Sequence, residues 1–248
     1  MKKNYLITAI FCFLLTSSMF GQTYYVASTG NDTNDGSSIN PFLTIGKAVG
    51  EVDATTIIIV GEVNQTGSVV LDKSLDFQGQ SDAKIIGDGS NRLFNTSASD
   101  LNISFSNIIF QGIVATDPDP VNSAPTDYAG GVFFNSQSNL TLTISNCVFS
   151  GNSSTSTAGG GALYISGGGT TEATITNTTF YNNQILTATT LEARGGAIIV
   201  YNATVNITNS TFFENKLARP GNFHGAAIRA SANGATITAT NCLFYNNK

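Results

Sequence analysis

The chain has 248 residues with 11 Lys and Arg against 16 Asp and Glu, so its formal net charge is −5, and only 11% of residues are charged while 41% are hydrophobic. Few charges combined with many β-branched residues exclude a disordered chain, and with the long apolar stretch confined to the N-terminus an integral helical membrane protein is excluded as well. The acidic balance argues against nucleic acid as a partner.

Residues 1–21 read as an export signal, with Lys2 and Lys3 ahead of an apolar core from Tyr5 to Leu15. Cleavage is expected after Gly21, and Cys12 lies mid-core after Ala-Ile-Phe, where it does not support a lipid anchor. The mature chain is therefore expected outside the cell, secreted or on the outer-membrane surface. Without the signal the charge is uneven: residues 22–127 carry four basic and 13 acidic side chains, and residues 128–248 carry five basic and three acidic ones.

Residues 22–52 are expected to form an N-terminal cap that includes a helix over 41–49. Asn40 suits the N-cap, Pro41 the first helical position and Gly50 the stop, while Phe42, Ile45 and Val49 share one face. Strand-like runs follow at Thr55–Val60, Ser68–Leu71, Ser74–Gln78 and Lys84–Ile86.

A repeat then takes over. Asn146-Cys-Val-Phe149, Asn177-Thr-Thr-Phe180, Asn209-Ser-Thr-Phe212 and Asn241-Cys-Leu-Phe244 each end in a further Asn three residues on, and the Phe spacings are 31, 32 and 32. Asn107-Ile-Ile-Phe110 is an earlier copy with Ile113 in place of the last Asn. Gly130-Gly-Val-Phe133, Gly160-Gly-Ala-Leu163, Gly195-Gly-Ala-Ile198 and Gly225-Ala-Ala-Ile228 interleave with it. Apolar residues alternate in each unit (Leu142/Ile144, Ala173/Ile175, Val205/Ile207, Ile237/Ala239), which is strand periodicity. One strand per unit cannot bury its own apolar face, so the units must stack.

This predicts an all-β, right-handed parallel β-helix over residues 53–248, with Asn at the strand corners and Phe in an internal ladder. A β-sandwich of hairpins accounts for the alternation but not for the fixed Asn-x-x-Phe-x-x-Asn order. Asn tolerates the left-handed conformation that a corner needs, and Asn side chains in register can hydrogen-bond along the stack. Cys147 and Cys242 fall in one column three turns apart. At about 4.8 Å per turn their Cα atoms stand about 14 Å apart, beyond the roughly 7 Å reach of a disulfide, so two buried free thiols are expected. Because the sequence stops directly after a repeat motif, the solenoid is expected to be truncated at this end, or to meet a partner at an open edge.

The opening Thr23-Tyr-Tyr-Val-Ala-Ser-Thr-Gly30-Asn-Asp-Thr-Asn-Asp-Gly36 with Pro41-Phe-Leu-Thr-Ile-Gly-Lys-Ala48 resembles that of exported bacterial pectate-lyase-like β-helix proteins. The alternating Gly-Gly-Ala-Ile and Phe-x-x-Asn motifs over residues 130–248 resemble the repeats of chlamydial polymorphic outer membrane proteins. The second resemblance implies surface exposure and an adhesive role, with no counterpart of that family's C-terminal translocating barrel expected within these 248 residues.

Length variation points to one corner. From the first Gly of each pair to the corner Asn the separations are 16, 17, 14 and 16, whereas the inserts Val114–Ala129, Ser153–Gly159, Gln184–Arg194 and Lys216–His224 hold 16, 7, 11 and 9 residues. Such a corner is a candidate surface for an extracellular glycan or surface protein. The charged group Glu192, Arg194, Lys216, Arg219, His224 and Arg229 is the candidate ligand-binding set. If the chain were a polysaccharide lyase, Arg194, Lys216, Arg219, His224 and Arg229 would be its candidates for base and electrophile, since a lyase must abstract a proton α to a uronate carboxyl and stabilise the enediolate. Surface ion pairing explains the same charges without catalysis. No cofactor is implied. Asp117, Asp119 and Asp127 are weak calcium candidates, and neither they nor Asn31-Asp32-Thr-Asn-Asp35-Gly36 match a calcium-loop spacing; turn chemistry explains both.

Overall fold

The computed structural model describes residues 21–116, 129–155, 159–168, 170–186, 193–217, 223–231 and 234–248. Among them the chain winds as a stack of coils, each strand pairing in parallel with its equivalent in the coils before and after it. The coil that starts at Gly160 is representative. Leu163–Ser166 lies between Phe133–Asn135 and Ile198–Tyr201 and forms the first face. Glu172–Thr176 lies between Thr141–Ser145 and Thr204–Thr208 and forms the second. Thr179–Tyr181, between Val148–Ser150 and Thr211–Phe213, forms the third. A two-residue strand, Gln184–Ile185, pairs with Ser153–Ser154 and Lys216–Leu217 and begins the return to the first face.

The corner between the second and third faces needs a left-handed residue, and Asn146, Asn177, Asn209 and Asn241 supply it with φ of 53°, 49°, 51° and 51°. Their side chains are linked along the stack, Asn177 Nδ2 donating to Asn146 Oδ1 at 3.3 Å and Asn241 Nδ2 to Asn209 Oδ1 at 2.6 Å. In the two earliest coils the corner Asn is absent, and Gly61 (φ 63°) and the pair Ser81 and Asp82 (φ 57° each) take the left-handed conformation instead. There Ala54–Gln65 and Leu75–Gly87 run as continuous strands through both faces, bending at a register shift between Val60 and Glu62.

The interior is apolar and strictly layered. Phe110, Phe149, Phe180 and Phe212 are fully buried, and the rings from Phe110 to Phe244 stack at centroid distances of 4.8, 4.8, 4.8 and 4.9 Å. Phe244, in the last coil, ends this ladder and is 47% exposed.

Beside the Phe ladder runs a buried amide ladder. Asn152, Asn183 and Asn215 are completely buried. The Nδ2 of each donates to the Oδ1 of the next, at 3.0, 3.0 and 2.9 Å, ending on Asn247. Each Nδ2 also donates to a Phe carbonyl of the preceding coil: Phe110, Phe149 and Phe180 in turn, then Phe212 for Asn247. Each Oδ1 in addition accepts a backbone N–H, from Ile113, Asn152, Asn183 and Asn215. Both donors and both acceptor positions of Asn183 and Asn215 are thereby used, which is the condition for burying an amide without penalty.

The expected helix over 41–49 is corrected to Ile45–Gly50, with Thr44 as N-cap in place of Asn40. Pro41-Phe42 is drawn away from the helix because Phe42 bridges to the first strand: its N–H donates to Tyr25 O at 2.9 Å and its carbonyl accepts from Ala27 N–H at 3.0 Å. Thr44 Oγ1 accepts from Lys47 N–H and donates to Asp32 Oδ2, and Asp32 also takes the N–H groups of Leu43 and Thr44. Ile45, Ala48 and Val49 then pack on the first coil. The region 22–52 also contributes a strand, Gln22–Ala27, parallel to the strand that starts at Ala54.

Cys147 and Cys242 are free thiols in the same column, but only Cys147 is buried; Cys242 is half-exposed because it sits in the last coil. Thr178 and Ser210 stand between them. Each side chain of the column donates to the carbonyl two residues back: Cys147 to Ser145, Thr178 to Thr176, Ser210 to Thr208 and Cys242 to Thr240.

Candidate functional site

The Gly-Gly motif turns the chain onto the first face. Gly130, Gly160, Gly195 and Gly225 have φ of 64°, 75°, 61° and 67°, and a Cβ on any of them would lie 2.1–2.3 Å from the carbonyl oxygen three residues on. The residue four places after each first Gly points away from the core on this face. Phe134, Tyr164, Ile199 and Arg229 are those residues, and they stand opposite one another in register.

Around that column lies a small second cluster outside the main core. Ala129, Tyr164 and Ile199 are buried in it, with Phe134 and Tyr201 packed against them. Phe134 stacks on Tyr164 at 4.8 Å, and Tyr164 meets Tyr201 at 5.5 Å. The Arg92 guanidinium sits 4.1 Å above the Phe134 ring centroid while its Nε donates to Ala129 O at 2.7 Å. Arg194 Nη1 donates to Tyr201 Oη at 2.9 Å. Burial pushes the Tyr164 phenol up to about 12, aided by Tyr201 and opposed by Arg194 and Arg92. The result is a seam of three arginines and three aromatic rings at the foot of the length-varying inserts.

Of the sequence-derived candidates, Arg194 and Arg229 belong to this seam. Arg194 also pairs in register with His224, so the two stand in neighbouring coils as their position before Gly implies. Lys216 does not join them: its Nζ donates to Asn182 Oδ1 at 3.0 Å, at the corner after the third face. Glu192, Arg219 and the calcium candidates Asp117, Asp119 and Asp127 lie outside the described residues, as does the His224 side chain. Among the described residues no cluster of three or more His, Cys, Asp or Glu side chains has metal-holding geometry. Asp35 in the N-terminal loop closes a turn through the Ser37 N–H, which holds its carboxyl below the usual range.

The inserts are shorter than the motif spacing implies. The first two residues of each (Val114–Ala115, Ser153–Ser154, Gln184–Ile185, Lys216–Leu217) are regular strand in register, and the last two of the later inserts pair as Ala193–Arg194 with Phe223–His224. Length varies only in what remains between. Sequence reasoning missed Arg92, Phe134, Tyr164 and Tyr201. The signal for Phe134 and Tyr164 is the fourth place after Gly; Arg92 and Tyr201 carry no comparable mark.

Parallel coils with stacked Phe and Asn ladders define a parallel β-solenoid. The sequence profile of the right-handed β-helix region matches residues 93–248, more than half of the chain, and the protein belongs to that family. No curated protein and no solved structure matches the chain.

Proposed function

We propose that this protein is an exported, cell-surface β-helix module that binds an extracellular glycan or surface protein through the corner where its inserts leave the first face. The observation that carries the reading is the contrast between the two parts of each coil. The cross-section of strands, Phe and Asn is held in register, while the largest changes of length fall at the corner beside the Arg92–Arg194 seam. Arginine and aromatic side chains are the types that dominate recognition surfaces.

The test is binding of the purified chain to immobilised glycans and surface proteins, before and after removal of residues 218–222. Saturable binding that falls with the shortened insert supports the reading, and binding unaffected by it overturns it. Export is checked separately, by finding Gln22 at the N-terminus of protein recovered from the medium or cell surface. The lyase reading is tested by incubating the chain with polygalacturonate and calcium: formation of unsaturated product that Arg194→Ala abolishes would replace binding by catalysis.

A further inference from the structure

A second candidate surface lies on the outward side of the second face, away from the insert corner. Ser104, Thr143, Thr174, Asn206 and Thr238 form an uninterrupted outward column there, in register from coil to coil. Hydroxyl and amide groups therefore repeat at the strand separation of roughly 4.8 Å along the axis. At its N-terminal end this lattice borders a shallow, open groove of about 420 Å³. Ser74, Asp76, Asn102, Ser104, Thr141 and Thr143 line it together with Thr55, Leu75 and Ile103, so polar groups border a surface that is mostly apolar.

Asp76 is the one ionisable residue among those lining the groove. Ser104 Oγ donates to one of its oxygens and Gln78 Nε2 to the other, which holds the carboxylate in place. A carboxylate accepts about four hydrogen bonds, so acceptor positions remain for outside hydroxyl donors. Asn102 and Thr141, both exposed, add a donor and acceptor amide and a hydroxyl beside it. No Lys or Arg lines the groove, and it lies largely in the half of the chain with four basic against 13 acidic residues. A carboxylate with no cation beside it in the lining disfavours polyuronates and sulfated polymers.

We propose that this groove seats one sugar unit of a neutral, hydroxyl-rich glycan, Asp76 accepting from adjacent sugar hydroxyls and Asn102, Thr141 and Thr143 bonding to the same or the next unit. The site is separate from the insert corner and does not depend on it.

The experiment is retention of the full chain on microcrystalline cellulose, chitin and yeast mannan, with polygalacturonate as the anionic comparison. Thr143→Lys and Asn102→Lys place a long cation in the groove from exposed strand positions, and circular dichroism verifies that each variant folds. The expected result is retention on at least one neutral polymer, weakened at least tenfold by either variant, unchanged by removal of residues 218–222, and no retention on polygalacturonate. Retention on none of the neutral polymers, retention that survives both variants, or stronger retention on polygalacturonate overturns the proposal. Retention lost only on shortening the insert leaves the corner reading standing and removes this one.

Discussion

Asn183 donates from Nδ2 to Asn215 Oδ1 at 3.0 Å, and its own Oδ1 receives both the N–H and the Nδ2 of Asn152, so one buried amide links three successive coils. Such a group is held in the core only while every partner is present. Asn183→Ala leaves the Asn152 donors, the Phe149 carbonyl and Asn215 Oδ1 short of partners. At roughly 1–3 kcal/mol for each buried group left unsatisfied, the substitution is expected to lower stability by about 4 kcal/mol. Thr174→Ala, on the exposed side of the second face, is expected to stay within about 0.5 kcal/mol. Urea unfolding midpoints of the two variants check this, and equal effects would sink the ladder's structural role.

The Phe ladder makes a parallel contrast. Phe180 is completely buried between Phe149 and Phe212, and Phe180→Ala is expected to cost about 3–5 kcal/mol. Phe213 stacks at 5.4 Å on both Tyr181 and Tyr245, but on the outside of the same face. Phe213→Ala is expected to cost less than about 1.5 kcal/mol, measured by the same denaturation.

Backbone approach decides a third pair. A Cβ on Gly161 would lie 2.2 Å from Gly196 O and 2.7 Å from Gln184 N, both backbone atoms that cannot move aside without parting the coils. Gly161→Ala is expected to destabilise by about 2 kcal/mol or more. Gly46, within the helix, has nothing within 4 Å of such a Cβ, so Gly46→Ala is expected to stabilise by about 0.5–1 kcal/mol through helix propensity. Opposite signs of the change in Tm are the readout.

Burial pushes the Cys147 thiol up from 9.0 to about 11. The neutral thiol is therefore favoured in the folded protein, and its contribution is fully present below pH 9. It is lost as pH rises toward 11, where the unfolded chain ionises first; at about 1.4 kcal/mol per pKa unit the loss is about 3 kcal/mol. Cys147→Ser places a hydroxyl where Thr178 and Ser210 already carry one, and is expected to flatten the fall in stability over that interval. In the native protein a thiol reagent at pH 8 is expected to label Cys242 and spare Cys147 until denaturant is added. Equal labelling of both would contradict the burial.

Much of the coil was legible in the residues. A corner Asn is recognisable because few side chains tolerate φ near 50°, and the Phe three places later because alternation from that corner turns it inward. The Gly pairs announce a turn that admits no Cβ. The helix start was misread because Asn40-Pro41 is good local capping chemistry, yet the Phe42 main chain gains two strand hydrogen bonds that lie elsewhere in the chain. Cys242 was misplaced as buried because it stands at the end of the column, in the last coil, whereas Cys147 lies within the stack.

The sequence by itself determined the repeat, its parallel stacking and the residues that face inward, because strand alternation and left-handed corners are local stereochemistry repeated at a fixed period. Only the tertiary structure decided that the last Asn of each motif is a closed buried ladder, that Arg92 lies on Phe134 and Arg194 on Tyr201, and that the groove forms beside Asp76. Those relationships depend on how coils of unequal length come to rest on one another, and no local preference encodes that lateral placement.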